Sequence, residues 1–139
     1  MVPTDIGAHS IERIGNVPLA STGGAARNGT GFDRQSFHSG VLVCTSGAAT
    51  GTPTSFTFAA KIQDSDDNSV FADYNDGSGV VAITNIIAIN SFARKKFSLI
   101  KARRFIRVVE TVTFVGGTAP TLAVQETVTL GGASEQPPV

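Results

Sequence analysis

The sequence has no tryptophan, one tyrosine, one cysteine and two histidines, and only 16% of its 139 residues are charged. Each shortage excludes something. A lone cysteine, Cys44, cannot close an internal disulfide, which fits assembly in a reducing cytosol. In the apolar run V-L-V-C-T it reads as a core side chain rather than a nucleophile. His9 and His38 stand apart from any catalytic pattern. There is no G-x-S-x-G elbow, no H-E-x-x-H, no phosphate-binding glycine loop and no cysteine-pair spacing for a metal. The chain is therefore not expected to be an enzyme or to need a cofactor. Lys+Arg and Asp+Glu balance at 11 each, so no global charge draws it to nucleic acid or a membrane surface. The apolar runs are too short and interrupted to span a bilayer. The opening M-V-P-T-D-I-G lacks the charged-then-apolar pattern of a signal peptide.

Glycine (15 residues), threonine and serine are plentiful, and 41% of the chain is hydrophobic, enough for one packed domain. Apolar and polar residues alternate in short runs separated by turn residues. In 55–63, Phe56, Phe58, Ala60 and Ile62 share one face and Ser55, Thr57, Lys61 and Gln63 the other, the mark of a half-buried strand. Further strands are expected at 41–45, 70–74, 80–89 and 92–101, although 83–91 could instead form a short helix. Seven or eight such runs with turns every 8–12 residues predict an all-β, antiparallel β-sandwich, jelly-roll-like. Residues 1–35 lack a sustained period and read as an extended N-terminal arm with a short strand near Val17–Ala20. Residues 36–132 form the sandwich, and 133–139 a short C-terminal tail.

The stretch 103–130 organises the rest. Two runs rich in Val, Thr and Phe flank V-G-G-T-A-P, which predicts a long hairpin. In its register Phe114 faces Leu122, Val112 faces Val124, Val108 faces Val128 and Ile106 faces Leu130, all on one dry side. Glu110 then meets Glu126 on that side, where two like charges are costly. A nearby Arg or Lys, a bulge that rotates one outward, or a facing partner chain would relieve the conflict. A catalytic carboxylate pair is the remaining reading, but no other catalytic group falls beside it.

Two charged clusters invite function. Asp64, Asp66 and Asn68 stand at alternate positions as in a calcium loop, but Ser69 sits where the EF-hand glycine belongs and Asn75 where its last glutamate belongs. An acidic turn capping its own backbone is the simpler reading of D-S-D-D-N, Asp67 included. Arg94, Lys95, Lys96, Lys101, Arg103 and Arg104 form a basic strip with Phe97 and Phe105 interleaved. It reads as a lysine-guarded edge strand, a docking strip for an acidic protein surface, or a nucleic-acid patch without a recognised motif.

Three stretches together carry a resemblance: S-F-T-F-A-A-K-I-Q-D-S-D-D-N-S-V-F-A-D, K-A-R-R-F-I-R-V-V-E-T-V-T-F and A-P-T-L-A-V-Q-E-T-V-T-L-G-G. Over residues 36–132 the chain resembles tailed-phage head decoration or cement proteins, of the jelly-roll type found in short-tailed phages. The resemblance implies a non-enzymatic protein, made in the host bacterial cytoplasm, that sits on the outer surface of a phage head. It would bind the major capsid protein as a dimer or trimer, without touching nucleic acid or membrane. On that reading Arg94, Lys95, Lys96, Lys101, Arg103 and Arg104 meet acidic capsid surface, and Asp64, Asp66 and Asp67 meet basic surface. The alternative is a carbohydrate-binding sandwich module for adhesion, for which one tyrosine, Tyr74, and no tryptophan are a thin aromatic supply.

Overall fold

A computed structural model describes residues 6–132. The tail expected at 133–139, and residues 1–5 of the expected arm, lie outside the described residues. One helical turn, α1 (Ile6–His9), precedes nine strands: β1 (Ile11–Ser21), β2 (Arg27–Asn28), β3 (Phe32–Asp33), β4 (Ser39–Thr50), β5 (Ser55–Ser65), β6 (Ala72–Asp73), β7 (Phe92–Ser98), β8 (Phe105–Val115) and β9 (Thr121–Gly131).

The strands build two antiparallel sheets packed face to face. One has the order β1-β9-β4-β7, the other β2-β8-β5-β6, with β3 also pairing with β8. β2 meets β8 at Glu110 and Val109, and β3 meets it at Ile106 and Phe105, so the two short pieces act as one interrupted strand. Each sheet thus interleaves early and late strands, the double Greek key of a jelly roll. The core lies between the sheets, with Phe58, Leu42, Ile62, Ile106, Leu122 and Leu130 among its fully buried side chains. In β5 the expected face is the buried one: Phe56, Phe58, Ala60 and Ile62 all point inward.

The predicted hairpin does not form. β8 runs in unbroken register with β5, from Ser55 opposite Val115 to Ser65 opposite Phe105, while β9 is sandwiched between β1 and β4. Residues 116–120 carry the chain from one sheet to the other. Gly116 and Gly117 take positive φ (69° and 87°), and Thr118 N–H donates to the Gly51 carbonyl at 2.8 Å. The turn is therefore tied to the β4–β5 connection instead of closing on itself. The dry face nonetheless consists of the expected residues: Ile106, Val108, Val112, Leu122, Val124, Val128 and Leu130 are buried, with Phe114 packed against them. Two strands facing each other across a core alternate in the same way as two neighbours in one sheet.

The expected arm is also absent as a separate unit from Ile11 onward. β1 pairs with β9 from Ile11↔Leu130 to Ser21↔Leu122, covering an edge that β9 would otherwise leave bare. The sandwich thus begins well before residue 36. Nor is there a helix at 83–91. Ile83 and Ile86 are core residues whose N–H groups bond to the carbonyls of Ala60 and Phe58, an extended path stitched along β5. Both margins of the four-stranded sheet are blunted. β1 carries Pro18 and breaks register on either side of Asn16; on β7, Lys95 lies opposite buried Leu42 and shares its inward face.

Candidate functional site

The charged residues singled out by sequence separate into two groups. Arg103 is spent inside the molecule. Its guanidinium donates to Asp64 Oδ1 from Nε (3.1 Å) and Nη2 (2.9 Å) and to the Asp64 carbonyl (2.7 Å), while its backbone N–H reaches Asp64 Oδ2 at 3.0 Å. Its Nη1 lies 3.5 Å from Asp66. Arg104 pairs with Asp33 at 2.9 Å and stacks over Phe105. Asp67 accepts the N–H groups of Ser69 and Val70 and the Ser65 hydroxyl. The Val70 and Ser69 amides, followed by Ser65, hold its carboxyl down at about 2. The D-S-D-D-N segment is thus closed by its own backbone and by Arg103.

The rest of the basic strip is unspent. Of the eleven Lys and Arg residues, Arg27, Lys61, Arg103 and Arg104 are ion-paired. Arg34 donates to backbone carbonyls, including that of Ala102, and Arg13 to that of Glu12. Arg107 binds Gln63 and stacks over Phe71. Among the described residues Arg94, Lys95, Lys96 and Lys101 have no side-chain hydrogen bond or ion pair. They are consecutive among the cations, and three of them lie on β7, the sheet's outer strand. Alternation sends Arg94 and Lys96 to the outer face and leaves Lys95 at the margin. Four of the remaining cations pair with acids and three bind carbonyl or amide oxygens; Arg94 and Lys96 face outward from β7, Lys95 sits at its margin, and Lys101 is exposed in the turn that follows.

The second group is buried. Two rows face each other across the core: Asn16–Glu126–Cys44 in the four-stranded sheet and Arg27–Glu110–Ala60 in the other. Glu110 and Glu126 are 2% and 0% exposed. Arg27 Nε donates to Glu110 Oε1 at 2.5 Å, and its Nη1 crosses to the Val17 carbonyl of β1 at 3.0 Å. One carboxylate is thereby matched by a cation. The other is not: both oxygens of Glu126 and Oε2 of Glu110 lack a donor, as do Asn16 Nδ2 and Arg27 Nη2 an acceptor. Burial first, then hydrogen bonding to Glu110 and that residue's charge, push the Glu126 carboxyl up to about 9. A proton on Glu126 makes it a donor to Glu110 and leaves Arg27, Glu110 and Glu126 neutral as a set. Burial and the same two glutamates also push the Cys44 thiol upward. Among the described residues no three His, Cys, Asp or Glu side chains gather as a metal-binding set.

Sequence reasoning placed Glu110 near Glu126 and left a nearby cation, a bulge or a partner chain as the relief; the structure supplies a cation to Glu110. That reasoning missed Arg27, which stands in the glycine-rich S-T-G-G-A-A-R-N-G-T-G, and Asn16. An isolated arginine in a segment short of other charges was the available signal. The lone tyrosine, Tyr74, is buried and donates its hydroxyl to the Ser98 carbonyl at 2.5 Å, so it offers no stacking surface to a sugar. Phe92, at 70% exposure, is the most open aromatic on the four-stranded sheet.

No protein-family model matches the chain, and none of the curated proteins matches it. Among solved structures it is similar to the SPBc2 prophage-derived protein YomS, with a TM-score of 0.43 and 16% identity over 86% of this chain and 92% of that chain.

Proposed function

We propose that the chain is a structural virion protein that binds the outside of a phage head and cements neighbouring major capsid protein subunits. The observation that carries this reading is the set of four cations, Arg94, Lys95, Lys96 and Lys101, left unmatched along one margin of a stiff sandwich. Such a margin is complementary to an acidic protein surface, and electrostatic matching of this kind sets orientation and capture rate. The sequence resemblance of residues 36–132 to head cement proteins supplies the identity of that surface. As a dimer or trimer the protein presents two or three basic margins, and their repetition over a shell lattice turns weak contacts into firm attachment. No catalytic step, cofactor, nucleic acid or membrane is part of this role.

The test is co-sedimentation with expanded and unexpanded empty heads over a range of salt. Binding is expected to weaken as salt rises. A Lys95→Glu/Lys96→Glu variant is expected to bind about tenfold more weakly at low salt. Failure to bind either form of head discards the reading, and an unchanged affinity in the variant removes these two lysines from the contact.

A further inference from the structure

All the buried side-chain polar atoms that lack a partner among the described residues belong to one cluster: Asn16, Arg27, Glu110 and Glu126. A well-packed sandwich leaves few such atoms, so their concentration in one place calls for a reason. The cluster lies beneath the seam where β1 of one sheet runs past β2 of the other. There a surface cleft of about 310 Å³ is lined by residues 14–17 and 27–30. The backbones come close at this seam: a Cβ on Gly15 would stand 2.6 Å from Val108 Cγ2, and one on Gly29 would collide with the Gly15 carbonyl. β1 is least regular at the same point, with register shifts between Ile14 and Asn16 and between Asn16 and Leu19.

We propose that Glu110 and Glu126 form a proton-operated latch on the β1–β2 seam: a shared proton holds β1 against the core, and its loss lets the segment from Gly15 to Leu19 lift away. Each element packed against Glu126 contributes a named group. β8 brings Glu110, β2 brings Arg27, β4 brings Cys44 and β1 brings Asn16. Arg27 can compensate one carboxylate but not two. When both are ionised, an uncompensated charge is buried, and burying it is costly. The cheapest relief is water entering through the cleft, because β1 is an outer strand held there by an irregular ladder and by the Arg27–Val17 bond. Lifting this segment uncovers part of β9 and makes a pairing edge of an interior strand.

The molecule carries its own reporter. Cys44 is the single cysteine, is fully buried and sits opposite Glu126 on β4. The experiment measures its modification by methyl methanethiosulfonate in the intact chain between pH 5 and pH 9.5. Each rate is divided by that of the urea-unfolded chain at the same pH. Protection of Cys44 is expected to fall by up to about tenfold per pH unit, because opening releases one proton. Low urea should leave the rates unchanged, since a local opening exposes little surface. In Glu126→Gln, which keeps a donor toward Glu110 but cannot ionise, protection should be flat with pH. Flat protection in the unsubstituted chain overturns the latch. So does a pH-dependent loss that low urea accelerates, which would mark global unfolding, or one that persists in Glu126→Gln. Should that variant fail to fold, a carbon-13 NMR titration of the Glu126 carboxyl in the unsubstituted chain decides the matter. Ionisation in step with Cys44 exposure supports the latch, and ionisation complete below pH 6 refutes it.

Discussion

Glu126 has no exposed surface and makes no well-formed hydrogen bond; the Asn16 amide and the Arg27 charge favour its ionised form less than burial and Glu110 oppose it. Its effect on stability follows from linkage. The folded carboxyl binds its proton up to about pH 9, against 4.5 for the ordinary group. Its contribution is therefore fully present below about pH 4.5 and is lost as pH rises through 9. Between these limits the unfolded chain has released a proton that the folded chain keeps, so stability declines by no more than about 1.4 kcal/mol per pH unit. Urea unfolding at pH 5, 7 and 9 should show this decline in the unsubstituted chain and its near-disappearance in Glu126→Gln. A decline of equal slope in both would assign it to other groups. The sequence showed that two glutamates share an apolar face, because alternation reports sidedness. It did not show that Arg27, 83 residues before Glu110, closes the charge balance, because nothing in a glycine-rich segment encodes where its path returns to the core.

At the scale of the element, sequence fixes inside and outside more firmly than it fixes neighbours. The faces of β5, β8 and β9 were readable from period-two alternation, and the structure buries those faces. Pairing was not readable for β8 and β9. A turn between paired strands and an arch between facing sheets both use glycines and both preserve alternation; only the attachment of Thr118 to Gly51 separates them. The jelly-roll order itself places these strands in opposite sheets, so a hairpin there and a jelly roll were incompatible expectations. Of β1 only a short piece near Val17–Ala20 was legible, because Pro18 and two register breaks spoil the period of the rest. Where β1 passes β2, the lack of side chains on Gly15 and Gly29 permits the approach. Gly29→Ala should consequently cost about 1 to 3 kcal/mol through overpacking, read as a lower urea midpoint. Gly24→Ala tests the specificity of that cost: it has open space around a built Cβ but a positive φ of 98°, so its penalty comes from backbone strain alone. A Gly29→Ala midpoint equal to that of the unsubstituted chain would show that the seam is looser than drawn.

At the scale of the whole molecule, most pairings join strands distant in sequence: β1 with β9, β4 with β9, β5 with β8. Folding dominated by such contacts is slow, on the order of milliseconds to seconds for a domain of this size. With no tryptophan, the fluorescence of Tyr74 can follow refolding in a stopped-flow experiment; a microsecond relaxation would contradict the topology. The same architecture suits the proposed role, since a body whose two sheets are linked by many crossings resists shear, while the cations of its β7 margin, unmatched among the described residues, remain available to a partner.

The position of β9 between β1 and β4 has a consequence for biosynthesis. Both neighbours leave the ribosome first, and each then waits with a bare flank until residues 121–131 appear. A nascent chain halted at residue 120 lacks the middle of a wall rather than its border, and the exposed flanks of β1 and β4 are open to other nascent chains on the same message. Emergence of β9 is thus the moment at which the sheet closes and the polypeptide stops being a hazard to its siblings.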